Sequence, residues 1–464
     1  MINPYIFREY DIRGVAGKDL TREVVENLGT VFAQHVRENS PSQGTISVAM
    51  GRDGRASSPE LAEALGAGLA KGGAEVIDVG LIPTPGLYYA THHFNTNAAI
   101  MLTGSHNPPD YNGLKMVREG RPVYGDEIQT LKERLLDGQA RQAPGGSIRQ
   151  EPILQSYLDR LVEDFQPGRP LKVIFDCGNG VAGVAAPGLL AKLPNVTGEV
   201  LFAEVDGTFP NHHPDPTVEK NLAHLKARVA ETGADVGIAY DGDGDRIGAV
   251  DEAGRVIWGD RMMILFARAI LKKKPGATVI GDVKCSQLLF DAVNAAGGEA
   301  IMWKTGHSLV KAKMKETGAA VGGEMSGHLF FADRYYGFDD ALYAAVRLIE
   351  LLAAETSPLS ARLTDLPQVY ATPELRLFCE DERKFQVMER IASQQKAAGA
   401  DLSDVDGIRV RLPDGWWLLR VSNTQPALVA RVEAQSREKL QEIAKTVEKI
   451  LAAEGVEFPE WQEA

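Results

Sequence analysis

Apolar runs of five or six residues, each followed by a polar or glycine-bearing turn and then by a stretch with helical apolar spacing, recur three times along the chain. The first copy is TISVAM, the turn GRDGR, a helix opened by Ser58 as N-cap and Pro59 as N1, and GGAEVIDVG. The second is LKVIFD, CGNG, a helical stretch through Leu189 and GEVLFAE. The third is ATVIGD, a helix capped by Ser286 and GGEAIMWKTG, which echoes GGAEVIDVG residue type for residue type. Alternation of strand and helix periodicity predicts βαβ construction, and the echo reads as divergent internal repeats.

The remainder differs. Strand-like VYATPELRLF, the pair RVRLPDG and WWLLRVSN, and the periodic helix SREKLQEIAKTVEKILAAEG predict a smaller α+β unit. Linkers are expected at RQAPGGSIRQEP, at the polar turn DEAGR and at SPLSARLTDLPQ. The fold class is therefore α/β: three related mixed-sheet α/β domains at 1–150, 151–255 and 256–368, then a smaller α+β domain at 369–464.

A chain of 464 residues exceeds one ordinary core, and 44% hydrophobic with 24% charged residues is the balance of a globular protein. The net charge of −13 argues against a nucleic-acid partner, so an anionic substrate has to meet a locally basic pocket. The opening MINPYIFREYDIRG lacks a leader's basic and apolar regions, and the later apolar segments are interrupted by Asp260, Arg261, Arg347 or Glu350. Neither secretion nor a membrane span is expected. Cys177, Cys285 and Cys379 form no CxxC pair and no even set, which reads as reduced cytoplasm.

Chemistry concentrates in four loops. Strand AAIMLT runs into Gly104, Ser105, His106, Asn107 and Pro108, presenting a hydroxyl on a tight loop with His106 adjacent and Lys115 ten residues on. Alone, Ser105 could merely cap a turn. VGIAYDGDGDRIGAV breaks a strand with Asp241, Asp243 and Asp245. Three carboxylates so close repel unless a hard divalent cation, Mg²⁺ or Ca²⁺, holds them. An EF-hand is excluded, because Arg246 stands where that loop needs glycine and strands flank it. Glu324, Ser326 and His328 in GGEMSGH suit adjacent sugar hydroxyls, and Arg420, Ser422, Asn423 and Thr424 in RVSNTQP suit a phosphate dianion. Gly178, Gly180 and Gly183 spell GxGxxG with Glu199 beyond, a dinucleotide pattern that nothing else in the chain supports.

These four loops in this order resemble the α-D-phosphohexomutases, from FREYDIRG to RVSNTQPALVAR. The resemblance implies four domains around a central active-site cleft, with Ser105 as phosphoserine and one Mg²⁺ held by Asp241, Asp243, Asp245 and Ser105. It implies sugar-hydroxyl ligands at Glu324, Ser326 and His328, and a phosphate loop at Arg420, Ser422, Asn423 and Thr424. Tyr10, Arg13, Lys115, Arg246, Lys284 and His307 match further active-site positions. The implied reaction is phosphoryl transfer between C1 and C6 of mannose and glucose phosphates through a 1,6-bisphosphate, glucose 1,6-bisphosphate serving as activator. Arg13 and Lys115 steady the moving group, and His328 or His307 is the general base. GEMSGH, with Met325, is similar to the phosphomannomutase/phosphoglucomutase branch, whereas phosphoglucosamine mutases resemble GEQSGH. A monomer is expected. Competing readings are a phosphoglucosamine mutase, a phosphoserine-dependent sugar phosphatase and a non-catalytic phosphosugar-binding protein.

Overall fold

The computed structural model describes residues 2–41, 44–423 and 425–462. Among these the strands form four sheets, of seven, five, four and six strands. The first three are mixed and built to one plan. In the first, Ser47–Arg52 lies between Glu75–Leu81 and Ala98–Leu102, all parallel. In the second, Leu171–Asp176 lies between Val196–Leu201 and Val236–Tyr240. In the third, Thr278–Asp282 lies between Glu299–Trp303 and Val321–Gly323. Helices cover these sheets, and strands such as Ala98–Leu102 and Val236–Tyr240 are buried along their whole length, which is why they read as unbroken apolar runs.

In each of these three sheets the last parallel strand is followed by an antiparallel one, in a way that serves the site. Ala98–Leu102 returns as antiparallel Tyr111–Arg118, Val236–Tyr240 as Ile247–Asp251, and Val321–Gly323 as Leu329–Phe331. The connections are the serine loop, the aspartate loop and the GEMSGH loop, all at the carboxyl ends of parallel strands. Arg246 and His328 pair as an isolated antiparallel bridge, so the last two loops are joined backbone to backbone.

One apolar core runs through the first three units, from Ala49 and Met101 through Phe175 and Tyr240 to Phe331 and Leu352. A second lies under the other face of the first sheet. The fourth unit is an antiparallel sheet with its own core under helix Arg437–Ala453. It meets the third unit through Val283, Trp416 and Leu418, and through the Arg409 guanidinium, which stacks on Trp416 within the fourth unit and donates across to the Val283 and Cys285 carbonyls at 2.8 Å each.

Local details depart from the sequence expectations. Helix Ser58–Lys71 has Ser57 at its N-cap, and Ser58 sits inside it with its hydroxyl on the Asp53 carboxylate at 2.5 Å. Within RQAPGGSIRQEP, Ser147–Gln150 pairs parallel with Glu75–Leu81 as an edge strand. DEAGR is a hairpin turn inside the second sheet, because Val256–Ile257 pairs back onto Ile247–Asp251 and the Asp251 carboxylate accepts from the N–H groups of Ala253 and Arg255. VYATPELRLF splits into Tyr370–Ala371 and Leu375–Phe378, both on Ala427–Ala434, with Pro373 in the break.

Candidate active site

Ser105 occupies a left-handed turn, φ +47°, that a serine adopts only where its surroundings hold it there. Its hydroxyl donates to Asp241 Oδ2 at 3.0 Å and lies 3.1 Å from His106 Nδ1. Burial, then the charges of Arg246 and Arg13, holds His106 well below the usual imidazole range, so its ring is neutral. The aspartate loop approaches so closely that a Cβ on Gly242 would come within 2.2 Å of the Ser105 carbonyl oxygen, which is why DGDGD needs glycine there. Arg13, on strand Ile12–Val15, donates to Asn107 Oδ1 at 3.2 Å and pairs with Asp11 at 2.5 Å.

Asp241, Asp243 and Asp245 are fully buried, with carboxylate oxygens within 4.8 Å of one another. Lys115 Nζ donates to Asp243 Oδ2 at 2.8 Å and Asp245 Oδ2 at 2.5 Å, and Thr84 Oγ1 donates to Asp243 at 2.6 Å. Burial opposes the charge on Lys115, yet the attraction of Asp243 and Asp245 outweighs it and raises the ammonium well above its usual range. Asp241 is raised as well, by burial and then by Asp245 and Asp243. Among the described residues, Asp243 Oδ1 and Asp245 Oδ1 are buried without a hydrogen-bond partner. Uncompensated carboxylate oxygens beside a serine hydroxyl fit a hard divalent cation, so this set could hold a metal.

Across the cleft His328 Nε2 accepts from Arg246 Nε at 2.9 Å, and its Nδ1 lies 3.1 Å from Asp339 Oδ2 and 3.7 Å from Asp245 Oδ1. His307 opens helix His307–Thr317 and stacks on His328 with centroids 5.5 Å apart. Burial and then the Lys311 charge hold it well below the usual range. Glu324 accepts from Gly306 N–H at 2.6 Å and from Ser326 Oγ at 3.0 Å, so its carboxylate bridges two loops of the third unit.

The fourth unit reaches this cluster through Tyr10. Its hydroxyl donates to Thr305 O at 2.9 Å and accepts from Asn423 Nδ2 at 2.5 Å, and burial raises it well above the usual phenol range. Arg420 pairs with Asp406 at 2.8 Å, while Asp406 also accepts from Thr305 N–H at 3.0 Å. Lys284 pairs with Glu374 at 2.9 Å. Ser422 Oγ accepts from Gln425 N–H at 3.1 Å, and Lys384 Nζ holds the Ser422 and Gln425 carbonyls at 2.9 and 3.0 Å. Thr424 lies outside the described residues.

The GxGxxG pattern is structural. Asp176 accepts from Gly178 N–H at 2.9 Å and faces His212 Nε2 at 3.0 Å, Val181 N–H is spent on the Gly242 carbonyl at 3.0 Å, and Glu199 pairs with Arg228 at 2.5 Å. Of the three glycines, Gly180 packs against the aspartate loop, while Gly178 lies against His212 and Pro214 and Gly183 against Ala203.

Residues 4–142, 155–254 and 258–370 match the phosphoglucomutase/phosphomannomutase alpha/beta/alpha domains I, II and III, and residues 374–450 match the C-terminal domain of the same family. The chain belongs to the phosphoglucomutase/phosphomannomutase family. It is 45% identical over 442 residues to a phosphomannomutase/phosphoglucomutase of Pseudomonas aeruginosa, covering 95% of this chain and 94% of that one. It is also 45% identical over 441 residues to a phosphoglucomutase of Neisseria gonorrhoeae, covering 94% and 95%. The crystal structure of a family protein from Burkholderia thailandensis superposes with a TM-score of 0.91 at 45% identity, covering all of both chains.

Within this phosphohexomutase framework the structure adds residues that sequence reasoning passed over. Asp53 and Arg55, in a turn noted only as GRDGR, lie beneath the serine loop. Asp339 faces both histidines, and Thr84, Asp406, Glu374 and Lys384 each fix a group named above. The only local signals were a charged pair directly after a strand and the doublet Asp339–Asp340 before a helix. Met325 of GEMSGH packs its half-buried side chain against the large core, and its N–H donates to Asp282 Oδ1 at 3.2 Å. Among the described residues no helix is long and apolar enough to cross a membrane.

Proposed function

We propose that the chain interconverts mannose 1- and 6-phosphate and glucose 1- and 6-phosphate, carrying the phosphoryl group on Ser105 and passing through a sugar 1,6-bisphosphate. The observation that carries this reading is the placement of the Ser105 hydroxyl 3.0 Å from Asp241 in a buried aspartate triad, at the meeting of three loops from three sheets. Glucose 1,6-bisphosphate serves as the activating form of the intermediate.

Asp241, Asp243 and Asp245 with Ser105 hold one Mg²⁺, which when bound offsets the negative charge on the serine phosphate. Arg13 and Lys115 supply fixed positive charge to the transferring group, with Arg13 steadied by Asp11 and Asn107. Because a guanidinium only donates, the Arg246 bond leaves His328 Nε2 as the acceptor nitrogen, the state a general base needs for the attacking sugar hydroxyl. His307 stacks beside it as the second imidazole of the pair. When the phosphoryl group returns, the Ser105 proton has two acceptors within 3.1 Å, Asp241 and His106. Glu324 and Ser326 bind sugar hydroxyls. Arg420, Ser422, Asn423 and Thr424, with Lys284 and Tyr10, seat the phosphate that is not being transferred. All these groups come from one chain, which fits a monomer, and three buried unpaired cysteines fit the cytoplasm.

A coupled assay with Mg²⁺ and a trace of glucose 1,6-bisphosphate tests this, offering mannose 1-phosphate, glucose 1-phosphate and glucosamine 1-phosphate to wild type and Ser105→Ala. Isomerisation of the first two with little phosphate release, lost in the variant, is expected. Turnover of the amino sugar alone makes it a phosphoglucosamine mutase, stoichiometric phosphate release makes it a phosphatase, and binding without turnover makes it a binding protein.

A further inference from the structure

We infer that Arg55 is a positioning residue that holds the phosphoryl-carrying serine loop in its strained, reactive geometry. This rests on the reading of Ser105 above. Arg55 closes GRDGR just past the end of strand Ser47–Arg52, it is 1% exposed, and among the described residues its guanidinium bonds to no side chain assigned to substrate. All five of its guanidinium N–H groups are engaged. Nε donates to Asp53 Oδ2 at 3.1 Å, one terminal nitrogen to the carbonyls of Pro108 and Tyr111 at 2.5 and 3.0 Å, and the other to the carbonyls of Ser105 and Asn107 at 2.7 Å each. Four of the five bonds therefore gather backbone of the serine loop onto one rigid fork.

Asp53 completes the cradle from below. Its carboxylate accepts from Thr103 Oγ1 at 2.9 Å and from Gly104 N–H at 3.0 Å, and Thr103 Oγ1 in turn accepts from Ser105 N–H at 2.9 Å. Every peptide on either side of Ser105 is thus tied to the Asp53–Arg55 pair, which explains how a non-glycine residue is kept at φ +47°. With the Ser105 carbonyl fixed toward Arg55, the trans peptide turns the His106 N–H the opposite way, away from the fork. The same packing explains Gly104: a Cβ there would lie 2.3 Å from Arg55 Nε. From the other side Phe209 covers the guanidinium at 5.4 Å, so the second unit clamps the fork that shapes the first unit's loop.

A serine that gives up and receives a phosphoryl group in every cycle has to return to one position, and displacement on the order of 1 Å costs about a hundredfold in rate. Lysine keeps the charge opposite Asp53 but has three donors on a flexible stem and cannot match the fork. Arg55→Lys is therefore expected to slow single-turnover transfer from the phosphorylated enzyme to glucose 1-phosphate by about 10- to 100-fold while KM changes less than about threefold. It should also raise phosphate release per isomerisation, because a loosened loop admits water. Gly104→Ala, pressing on the same nitrogen, should act alike, and should cost at least about fivefold less when combined with Arg55→Lys than alone.

A merely structural arginine would lower the folded fraction and leave rate per folded enzyme and the phosphate-release ratio untouched; that result overturns the inference. If Arg55→Lys does not fold, Gly104→Ala decides: transfer at the wild-type rate overturns it and slowed, leaky transfer supports it. Absence of turnover by the wild type sinks the underlying mutase reading, a failure distinct from either.

Discussion

Arg246 Nε donates to His328 Nε2 at 2.9 Å, and this bond settles which nitrogen of the histidine carries its proton. A guanidinium cannot accept, so Nε2 is bare and the proton of a neutral ring sits on Nδ1, facing Asp339 at 3.1 Å. Asp339 is itself held well below the usual carboxylate range, since Lys311 and His328 outweigh its burial, so it stays ionised against the ring. Arg246, His328 and Asp339 form a line in which the Asp339 carboxylate faces one ring nitrogen and the Arg246 guanidinium occupies the other.

Asp339→Asn should therefore lower kcat by about a hundredfold or more with KM changed little. The amide can present N–H to Nδ1 and move the ring proton to Nε2, as happens when the orienting carboxylate of a catalytic triad becomes an amide. Steady-state kinetics read the split, and nitrogen NMR of the His328 ring reads the tautomer. Unchanged kcat would show that His328 is not the base.

Tyr10 links the first unit to the third and fourth through one hydroxyl, on Thr305 O and Asn423 Nδ2. Tyr10→Phe deletes both bonds, each worth about 1 kcal/mol net. KM for glucose 1-phosphate should rise about five- to tenfold, and hydrogen exchange across residues 420–423 should speed up. Unaltered exchange would place the hold on the fourth unit in the Lys284–Glu374 pair instead.

Chelation of divalent cations should abolish turnover, with Mg²⁺ restoring it. Calorimetric titration of Mg²⁺ into Asp243→Asn should show affinity weakened at least about tenfold, because that variant removes one of the partnerless buried carboxylate oxygens. Equal affinity in wild type and variant would remove the aspartate loop as the metal site.

Asp340, one residue from Asp339, turns the other way and caps helix Ala341–Ala353, accepting from Tyr157, Tyr335 and the Tyr343 N–H. Burial, against those three donors, pushes its carboxyl up to about 7. Between the ordinary carboxyl range and pH 7 the folded chain keeps a proton that the unfolded chain has lost, so this group weakens folding as pH rises through that window. Asparagine caps equally well without titrating. The melting temperature of Asp340→Asn relative to wild type should climb from pH 4 to pH 7 and stay level above it. A flat difference would mean that Asp340 is ionised throughout.

How much of this was legible depends on distance along the chain. Three βαβ units, a different fourth unit and the four loops were readable because strand and helix periodicity, glycine-spaced aspartates and strand-end hydroxyls are local patterns of a few residues. Ser105, Asp241, Asp243 and Asp245 fall in this class. GxGxxG is as local and misleads, since the motif does not show that Val181 N–H is already spent on Gly242.

Asp53, Arg55 and Asp339 are local in nothing but their own turns. Arg55 acquires its role from carbonyls about fifty residues away, and Asp339 from histidines contributed by two other elements of the third unit. Likewise, Lys115 is ten residues from Ser105 in sequence, but its partners Asp243 and Asp245 belong to another sheet. The sequence by itself determined which elements form and which side chains stand at their ends, because propensity, periodicity and turn chemistry act over one or two turns of chain. Only the tertiary structure decided which charges neutralise each other, which histidine nitrogen is bare and which loop is strained, because burial and hydrogen bonding depend on what the other sheets bring to the same few ångströms.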